Sequence, residues 1–267
     1  MTKYQRFRRF IMGNVIQTNV AALGAQKSLF RTNTELATTF SRLSSGFRIN
    51  SAKDDASGLV ISNILTAEAS GSKVALRNAN DGISLAQVAD GALNEVGNIL
   101  LRMRDLTISA VSGQNAGGLA AIELEFAALN AEITRIGADT NFAGTNVFAA
   151  VNVTVNSSGT SVISIGAAFT AAPGGTAAAG TAAIDTAIGL NDTARAGLGA
   201  ASSRLTFAAN SLGNQIENSS AAASRIRDTD FAVETANLAK FQVLQQAGFS
   251  VLAQANANSQ SILSLLQ

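Results

Sequence analysis

The C-terminal stretch FQVLQQAGFSVLAQANANSQSILSLLQ, residues 241–267, decides the fold of this chain. It has no charged side chain and no proline, and its apolar residues recur three and four apart, as on one face of an α-helix. Two tracks with a seven-residue repeat carry this face: Phe241, Gly248, Ala255 and Ile262, then Leu244, Val251, Asn258 and Leu265. Such a helix needs a partner for its apolar face, so the sequence predicts association with the N-terminus or with other copies of the chain.

The alternative of a membrane span fits this stretch poorly. Six glutamines, two asparagines and four serines interrupt it. A bilayer-crossing helix needs about 20 predominantly apolar residues in a row. We therefore expect no membrane span here.

A second helix with a seven-residue repeat lies near the N-terminus and is the natural partner. Its repeat predicts about four heptads ending near Gly46, with Phe40 and Phe47 on the same face. We define the polymerisation seam as the apolar residues of both helices: Val15, Ala22, Leu29, Leu36, Leu43, Phe241, Leu244, Val251, Ala255, Ile262 and Leu265.

The basic residues 1–11 precede this pattern. No apolar core follows them as in a secretory signal, because polar residues break the next stretch. A second methionine, Met12, offers another start. We expect residues 1–11 to be a disordered extension or absent from the native protein.

The rest of the chain reads as an out-and-back arrangement of helices around a small insertion. Residues 47–58 predict a charged connecting loop, residues 58–112 a helix with a cap or interruption at Asp81-Gly82, and residues 122–136 a third helix. Alternating residues at 151–155 and 161–165 predict a β-hairpin, and residues 171–183 a flexible loop. Helical periodicity resumes after Asp192, a second charged connector covers 225–230, and the last helix begins near Asp230.

These patterns predict a mainly α fold of long, antiparallel, coiled-coil-like helices with paired N- and C-terminal helices and a small β-hairpin insertion. We divide the chain into residues 1–11, the terminal helices and connectors at 12–56 with 227–267, a helical rod at 57–148 with 190–226, and the insertion at 149–189. We expect the insertion to face solvent at the end of the rod far from the termini, and assembly to tolerate its deletion.

Composition excludes several classes of function. The chain has no histidine and no cysteine, which excludes Ser-His-Asp triads, Cys-His pairs, disulfides and zinc sites of the usual kinds. No paired acidic constellation stands out for carboxylate catalysis. The formal net charge of +1 gives no footprint for nucleic acid. We predict a protein that is not an enzyme and needs no cofactor or metal.

Several long strings resemble bacterial flagellin. They are FSRLSSGFRINSAKDDASGL (40–59), RNANDGISLAQVADGAL (77–93), SRIRDTDF (224–231), ETANL (234–238) and VLQQAG (243–248). The resemblance covers about residues 14–148 and 193–267. It implies a subunit that polymerises into the extracellular flagellar filament for motility, with its terminal helices lining the inner tube. It also implies type III export, an export chaperone on the C-terminal helix, and contacts with the filament cap and hook-associated proteins.

The same resemblance implies recognition by an innate-immune receptor. The strings LLRMRDL (100–106) and IELEF (122–126) align Arg102 and Glu125 with the family's receptor-contacting residues. Leu101 departs from the usual glutamine, and an ordinary role as solvated or filament-contact charges stays open. Two alternatives to a filament subunit also stay open: a hook–filament junction protein, and a surface-binding flagellin homologue.

Overall fold

The computed structural model describes residues 18–112, 118–166 and 173–264. Residues 1–11, Val15, Leu265 and the segment 113–117 lie outside these ranges. The described helices are Val20–Ser45 (α1), Ala56–Val111 (α2), Leu119–Asp139 (α3), Ala182–Arg227 (α4) and Phe231–Ser264 (α5). The strands are Asn141–Phe142 (β1), Thr145–Asn146 (β2), Val151–Thr154 (β3) and Val162–Ile165 (β4), and a 3-10 turn covers Ala177–Ala179. The predicted mainly α fold with a small hairpin is confirmed.

Local capping fixes the ends of the terminal helices. The Asn19 side chain accepts a hydrogen bond from the Ala22 amide at the start of α1. Gly46 ends α1 in the left-handed region with φ 74°, and its N–H donates to the Arg42 carbonyl at 2.8 Å. At the start of α5, Asp230 Oδ1 accepts from the Ala232 amide at 2.9 Å. α1 therefore ends near Gly46 and α5 begins near Asp230, as predicted, whereas α1 begins at Val20, five residues after the start of the predicted repeat at Val15.

The described residues form two compact units: those up to Ser62 together with those from Ala223 onward, and those from Asn63 to Ala222. In the first unit α1 packs along α5. Asn19 near the start of α1 contacts Ser259 near the end of α5, and Arg42 near the end of α1 contacts Glu234 near the start of α5. The pair is therefore antiparallel, which confirms the predicted pairing of the two ends of the chain.

The second unit has a core built by α2, α4 and the β3–β4 hairpin. Leu85, Leu93 and Leu205 form part of this core together with Val153 and Ile165 of the hairpin. β3 pairs with β4 in antiparallel register, from Val151 opposite Ile165 to Thr154 opposite Val162. The insertion was expected to face solvent, but one side of its hairpin is buried, so its deletion would expose the core.

Gly82 corrects a second expectation. α2 runs through Asp81-Gly82 without a break. A Cβ built on Gly82 would lie 2.9 Å from Val153 Cγ2. The glycine therefore gives the hairpin room to approach the helix, and it does not interrupt the helix.

Two boundaries also differ from the prediction. α4 begins at Ala182, so the expected insertion at 149–189 overlaps its first turns, where Ile184 is buried. The loop expected to be flexible at 171–183 contains the buried Ala177, whose amide donates to Glu123 Oε2 of α3 at 3.2 Å. Tertiary contacts with α3 hold this segment, and composition alone could not reveal them.

A second, very short hairpin was not predicted. β1 and β2 pair with Phe142 opposite Thr145, which leaves Ala143 and Gly144 as a two-residue loop. Both loop residues have positive φ, 50° and 82°, as a type I′ turn requires. Val147, which follows this hairpin, is fully buried in the core of the second unit.

Candidate assembly interface on the terminal helices

The packed face between α1 and α5 is narrow and lined by small side chains. Ala22 and Leu29 of α1 and Ala255 of α5 are buried. A Cβ built on Gly248 would lie 2.9 Å from Leu29 Cδ1, so the glycine lets this leucine approach the α5 backbone closely. Small residues allow the helices to pack closely, but they bury little apolar area in the isolated chain.

Four polar contacts set the register of this pair. Asn19 Nδ2 donates to Ser259 Oγ at 2.7 Å and to the Ala255 carbonyl at 3.0 Å. Gln245 Nε2 donates to Asn33 Oδ1 at 2.8 Å. Arg42 Nη1 lies 3.7 Å from Glu234 Oε1, and the Glu234 side chain is only 8% exposed. These contacts hold one antiparallel alignment along the length of both helices.

The remaining sides of both helices expose large apolar side chains. Phe30 of α1 is 76% exposed, and Val251 of α5 is 58% exposed. The other large apolar side chains exposed on these two helices are Val20, Leu23, Phe40, Phe231, Val233, Val243, Leu244 and Phe249. Exposed apolar side chains in this number are typical of an interaction site.

The residues of the seam separate into two groups. Ala22, Leu29 and Ala255 are buried and Leu36, Leu43 and Phe241 are half-buried, all on the repeat that the packed face follows. Leu244 and Val251 are exposed. Val15 and Leu265 lie outside the described residues, and Ile262 lies in α5 with its side chain outside the description.

The packed face of α5 uses a different second track from the expected one. Gln245, Leu252 and Ser259 are half-buried, whereas Leu244, Val251 and Asn258 are exposed. Phe40, expected on the packed face of α1, is also exposed, at 65%. The sequence signal that was missed is polar: Asn33 of α1 pairs with Gln245, and Asn19 pairs with Ser259.

The two charged connectors meet next to this helix pair. Phe47 and Asp228 form an antiparallel bridge, and the Arg48 amide donates to the Arg227 carbonyl at 2.7 Å. The Arg227 guanidinium lies 4.1 Å from the centroid of the Phe47 ring, within the range of a cation–π contact. The connectors are therefore structured in this unit rather than solvated linkers.

Arg102 and Glu125 lie together on the second unit. Arg102 of α2 reaches Glu125 of α3 through Nε at 2.9 Å and Nη2 at 2.8 Å. Their side chains are 56% and 44% exposed. A two-point contact at this exposure orients both side chains but contributes little to stability.

Comparison with known proteins decides which family has this arrangement. The profile of the bacterial flagellin N-terminal helical region matches residues 16–153, and that of the bacterial flagellin C-terminal helical region matches residues 181–266. The chain belongs to the bacterial flagellin family. It is therefore a structural subunit of the flagellar filament, which serves motility, and it is not an enzyme.

Two individual flagellins are similar in sequence to this chain over nearly its whole length. A flagellin from Xenorhabdus nematophila is 39% identical, with 96% of this chain and 100% of the relative covered. Flagellin A from Vibrio cholerae is 34% identical over 375 residues, with 94% of this chain and 99% of the relative covered. A crystal structure of Bacillus cereus flagellin covers 60% of this chain and 93% of its own, at 26% identity and a TM-score of 0.39.

Within the described residues, no helix has both the length and the hydropathy that crossing a bilayer requires.

Proposed function

We propose that α1 and α5 carry the subunit contacts of the filament and line its inner tube. In this proposal the narrow face between them closes within one subunit, and their exposed apolar sides close against neighbouring subunits. The remaining helices, α2, α3 and α4, form the rod outside the tube. The residues of the polymerisation seam then divide between an internal contact and a contact between copies.

One observation carries this proposal: most of the large apolar side chains described on α1 and α5 are exposed outside their shared face. Phe30 and Val251 are more than half exposed, whereas Ala22 and Ala255 are buried. Burying a large apolar side chain contributes about 1.5–3 kcal/mol. Assembly therefore has more to gain from the exposed sides than folding has gained from the packed face.

The substitution Val251→Lys tests this contact. Because Val251 is 58% exposed in the single subunit, the lysine should leave the helix content unchanged. In the filament it would bury an unpaired charge, which costs several kcal/mol for each subunit. Ser250→Lys, at an exposed polar position about 100° around the helix from Val251, introduces the same charge as a matched control.

The measurement is elongation of parent filament seeds, with circular dichroism as the check on folding. We expect Ser250→Lys to elongate seeds and Val251→Lys to stay monomeric with parent-like helix content. Normal elongation by Val251→Lys would show that this side of α5 is not buried between subunits.

The same exposed surface supports the proposed export partners. A subunit that leaves Leu244, Phe249 and Val251 uncovered before assembly needs protection from premature association. We propose that an export chaperone covers this part of α5 on the way to an extracellular filament, and that the filament cap and hook-associated proteins contact the terminal helices after export. The contact would be supported by a chaperone that co-purifies with the full-length chain but not with a chain truncated before Phe231.

A second proposal concerns innate-immune recognition through Arg102 and Glu125. Their mutual contact holds a positive and a negative group side by side on the surface, where a receptor could engage both. Receptor signalling by monomeric Arg102→Ala, compared with Arg135→Ala on α3, tests this site. Equal signalling by the two variants would rule out a receptor contact at Arg102.

A further inference from the structure

We propose that the helix pair has two chemically different open sides, one aromatic and one aliphatic, and that the aromatic side of one subunit packs on the aliphatic side of the next. This inference rests on the proposed function and adds the polarity of the contact. We define the aromatic side by Phe30, Phe40, Phe231 and Phe249, and the aliphatic side by Val233, Leu244 and Val251.

The hydrogen bond between Asn33 and Gln245 locates the aromatic side, because it joins α1 and α5 along one edge of their packed face. Helix positions three, four or seven apart lie on the same side. Phe30 and Phe40 stand three before and seven after Asn33, and Phe249 stands four after Gln245. Helix geometry therefore places these three phenylalanines along the edge that this hydrogen bond marks.

Phe231 belongs to the same edge. It stands two heptads before Gln245, and its ring lies 3.8 Å from a Cβ built on Gly46 at the end of α1. The four phenylalanines are all more than half exposed. Four exposed aromatic rings along one edge are far from typical of a surface that stays in water.

The aliphatic side flanks the opposite edge of the packed face. The centre of that face on α5 follows Phe241 and Gly248, and Gln245 and Leu244 project about 50° to either side of it at 100° per residue. Val251 follows Leu244 by one heptad, and Val233 precedes it by three turns. These three side chains are 45–58% exposed.

Symmetry then selects how the two sides meet. If identical sides met, the contact would be isologous and would close into a dimer. A heterologous contact, in which one surface binds a different surface of the next copy, instead extends into an open helical polymer when its rotation does not close into a ring. The chain belongs to a filament-forming family, so two distinct apolar sides on the helix pair supply the two halves of such a contact.

Two double variants of the full-length chain test the polarity. Phe30→Ser with Phe249→Ser removes rings from the aromatic side, and Leu244→Ser with Val251→Ser removes the aliphatic side. All four side chains are exposed in the single subunit, so circular dichroism should show parent-like helix content. Ser250→Ala on α5, at an exposed position between the two sides, is the matched control and should elongate seeds normally.

The measurement that tests polarity is the rate at which parent subunits elongate parent seeds when a small molar fraction of one variant is added. With a heterologous contact, an incoming subunit binds the growing end through one side and presents the other side. One variant should therefore fail to bind the end and leave parent elongation unchanged. The other should bind, block the next addition, and reduce parent elongation several-fold at a substoichiometric amount.

If both variants fail to elongate seeds alone and affect parent elongation equally, the contact is symmetric and this inference is wrong, while the proposed function stands. If both variants elongate seeds as well as the parent does, the terminal helices do not carry the subunit contact, and the proposed function fails as well.

Discussion

The substitution Gly82→Ala should destabilise the unit of residues 63–222, although it replaces a glycine in the interior of a helix. A Cβ at this position would lie 2.9 Å from Val153 Cγ2, 3.1 Å from Ile165 Cδ1 and 3.2 Å from Leu205 Cδ1. These three side chains are buried and come from β3, β4 and α4. The new methyl group would therefore push against three elements at once.

Two opposing terms set the magnitude. Alanine is favoured over glycine in a helix interior by about 0.5–1 kcal/mol. Extra volume in a packed core costs about 1–3 kcal/mol. Val153 is β-branched and has little rotamer freedom with which to yield. Overpacking should therefore outweigh the gain in helix propensity.

Gly91→Ala, in the same helix, separates the two terms, because no atom lies within 4 Å of a Cβ built there. It should raise the melting temperature through helix propensity alone. The difference between the two variants then measures overpacking, and about 1–3 kcal/mol corresponds to Gly82→Ala melting about 2–12 °C below Gly91→Ala in a unit of this size. The assay is thermal unfolding of the monomer by circular dichroism. If Gly82→Ala melted at or above the temperature of Gly91→Ala, the close approach of the hairpin to α2 would be refuted.

Two further predictions concern the loops. Glu123→Ala should reduce hydrogen-exchange protection at Ala177 and Ala178 by about tenfold. The reason is that both amides donate to this carboxylate, and each such bond contributes about 1 kcal/mol or more. Protection equal to that of the parent would show that Glu123 does not hold this segment. Hydrogen bonds from the Ser51 amide and hydroxyl and the Asn50 amide lower the pKa of Asp54. The ionised Asp54 therefore stabilises the connector fully above the ordinary aspartate pKa of about 3.9, and this stabilisation is lost as pH falls through the lower, folded-state pKa. The Ser51 amide should therefore lose exchange protection in acid, and Asp54→Ala should remove this pH dependence.

The parts of the fold with a strong local repeat could be predicted from the sequence. α3 has Phe126 and Ile133 buried, on the track that the three–four spacing gives. The β3–β4 hairpin follows from two alternating runs around a turn. In both cases the residues that decide the element are adjacent in sequence, so local periodicity is enough.

The features that escaped prediction depend on contacts between distant segments. Gly82 looks like a helix breaker on propensity alone, and only the approach of Val153 explains why a glycine stands there. Apart from Asp185, the first turns of α4 have the same Ala-rich composition as the loop before them, and the burial of Ile184 against the core distinguishes them. Strands of two residues, such as β1 and β2, are too short to show a period.

The packed face of α5 also depends on a contact between distant segments rather than on local periodicity. Counted from Phe241, a second track can begin three residues later at Leu244 or four residues later at Gln245, and both choices satisfy helical spacing. Apolarity favours Leu244, but the structure turns Gln245 inward, where it donates to Asn33. The polar residue sets the register, and the more apolar Leu244 remains exposed.

Polar residues on the packed face and apolar residues on the exposed sides suit a subunit that must first pair its own ends and then polymerise. Hydrogen bonds from Asn19 and Gln245 select one alignment of α1 and α5 while burying little apolar surface. A polar pair at the helix contact contributes less stability than an apolar pair would, but it restricts the helices to the alignment that satisfies it. If Leu244 packed inward instead, the internal pair would be more stable and the surface left for neighbouring subunits less apolar. The polar contacts therefore lower the stability of the single subunit but fix the register of its helices. Most of its large apolar side chains on these helices remain exposed for contacts with a second copy.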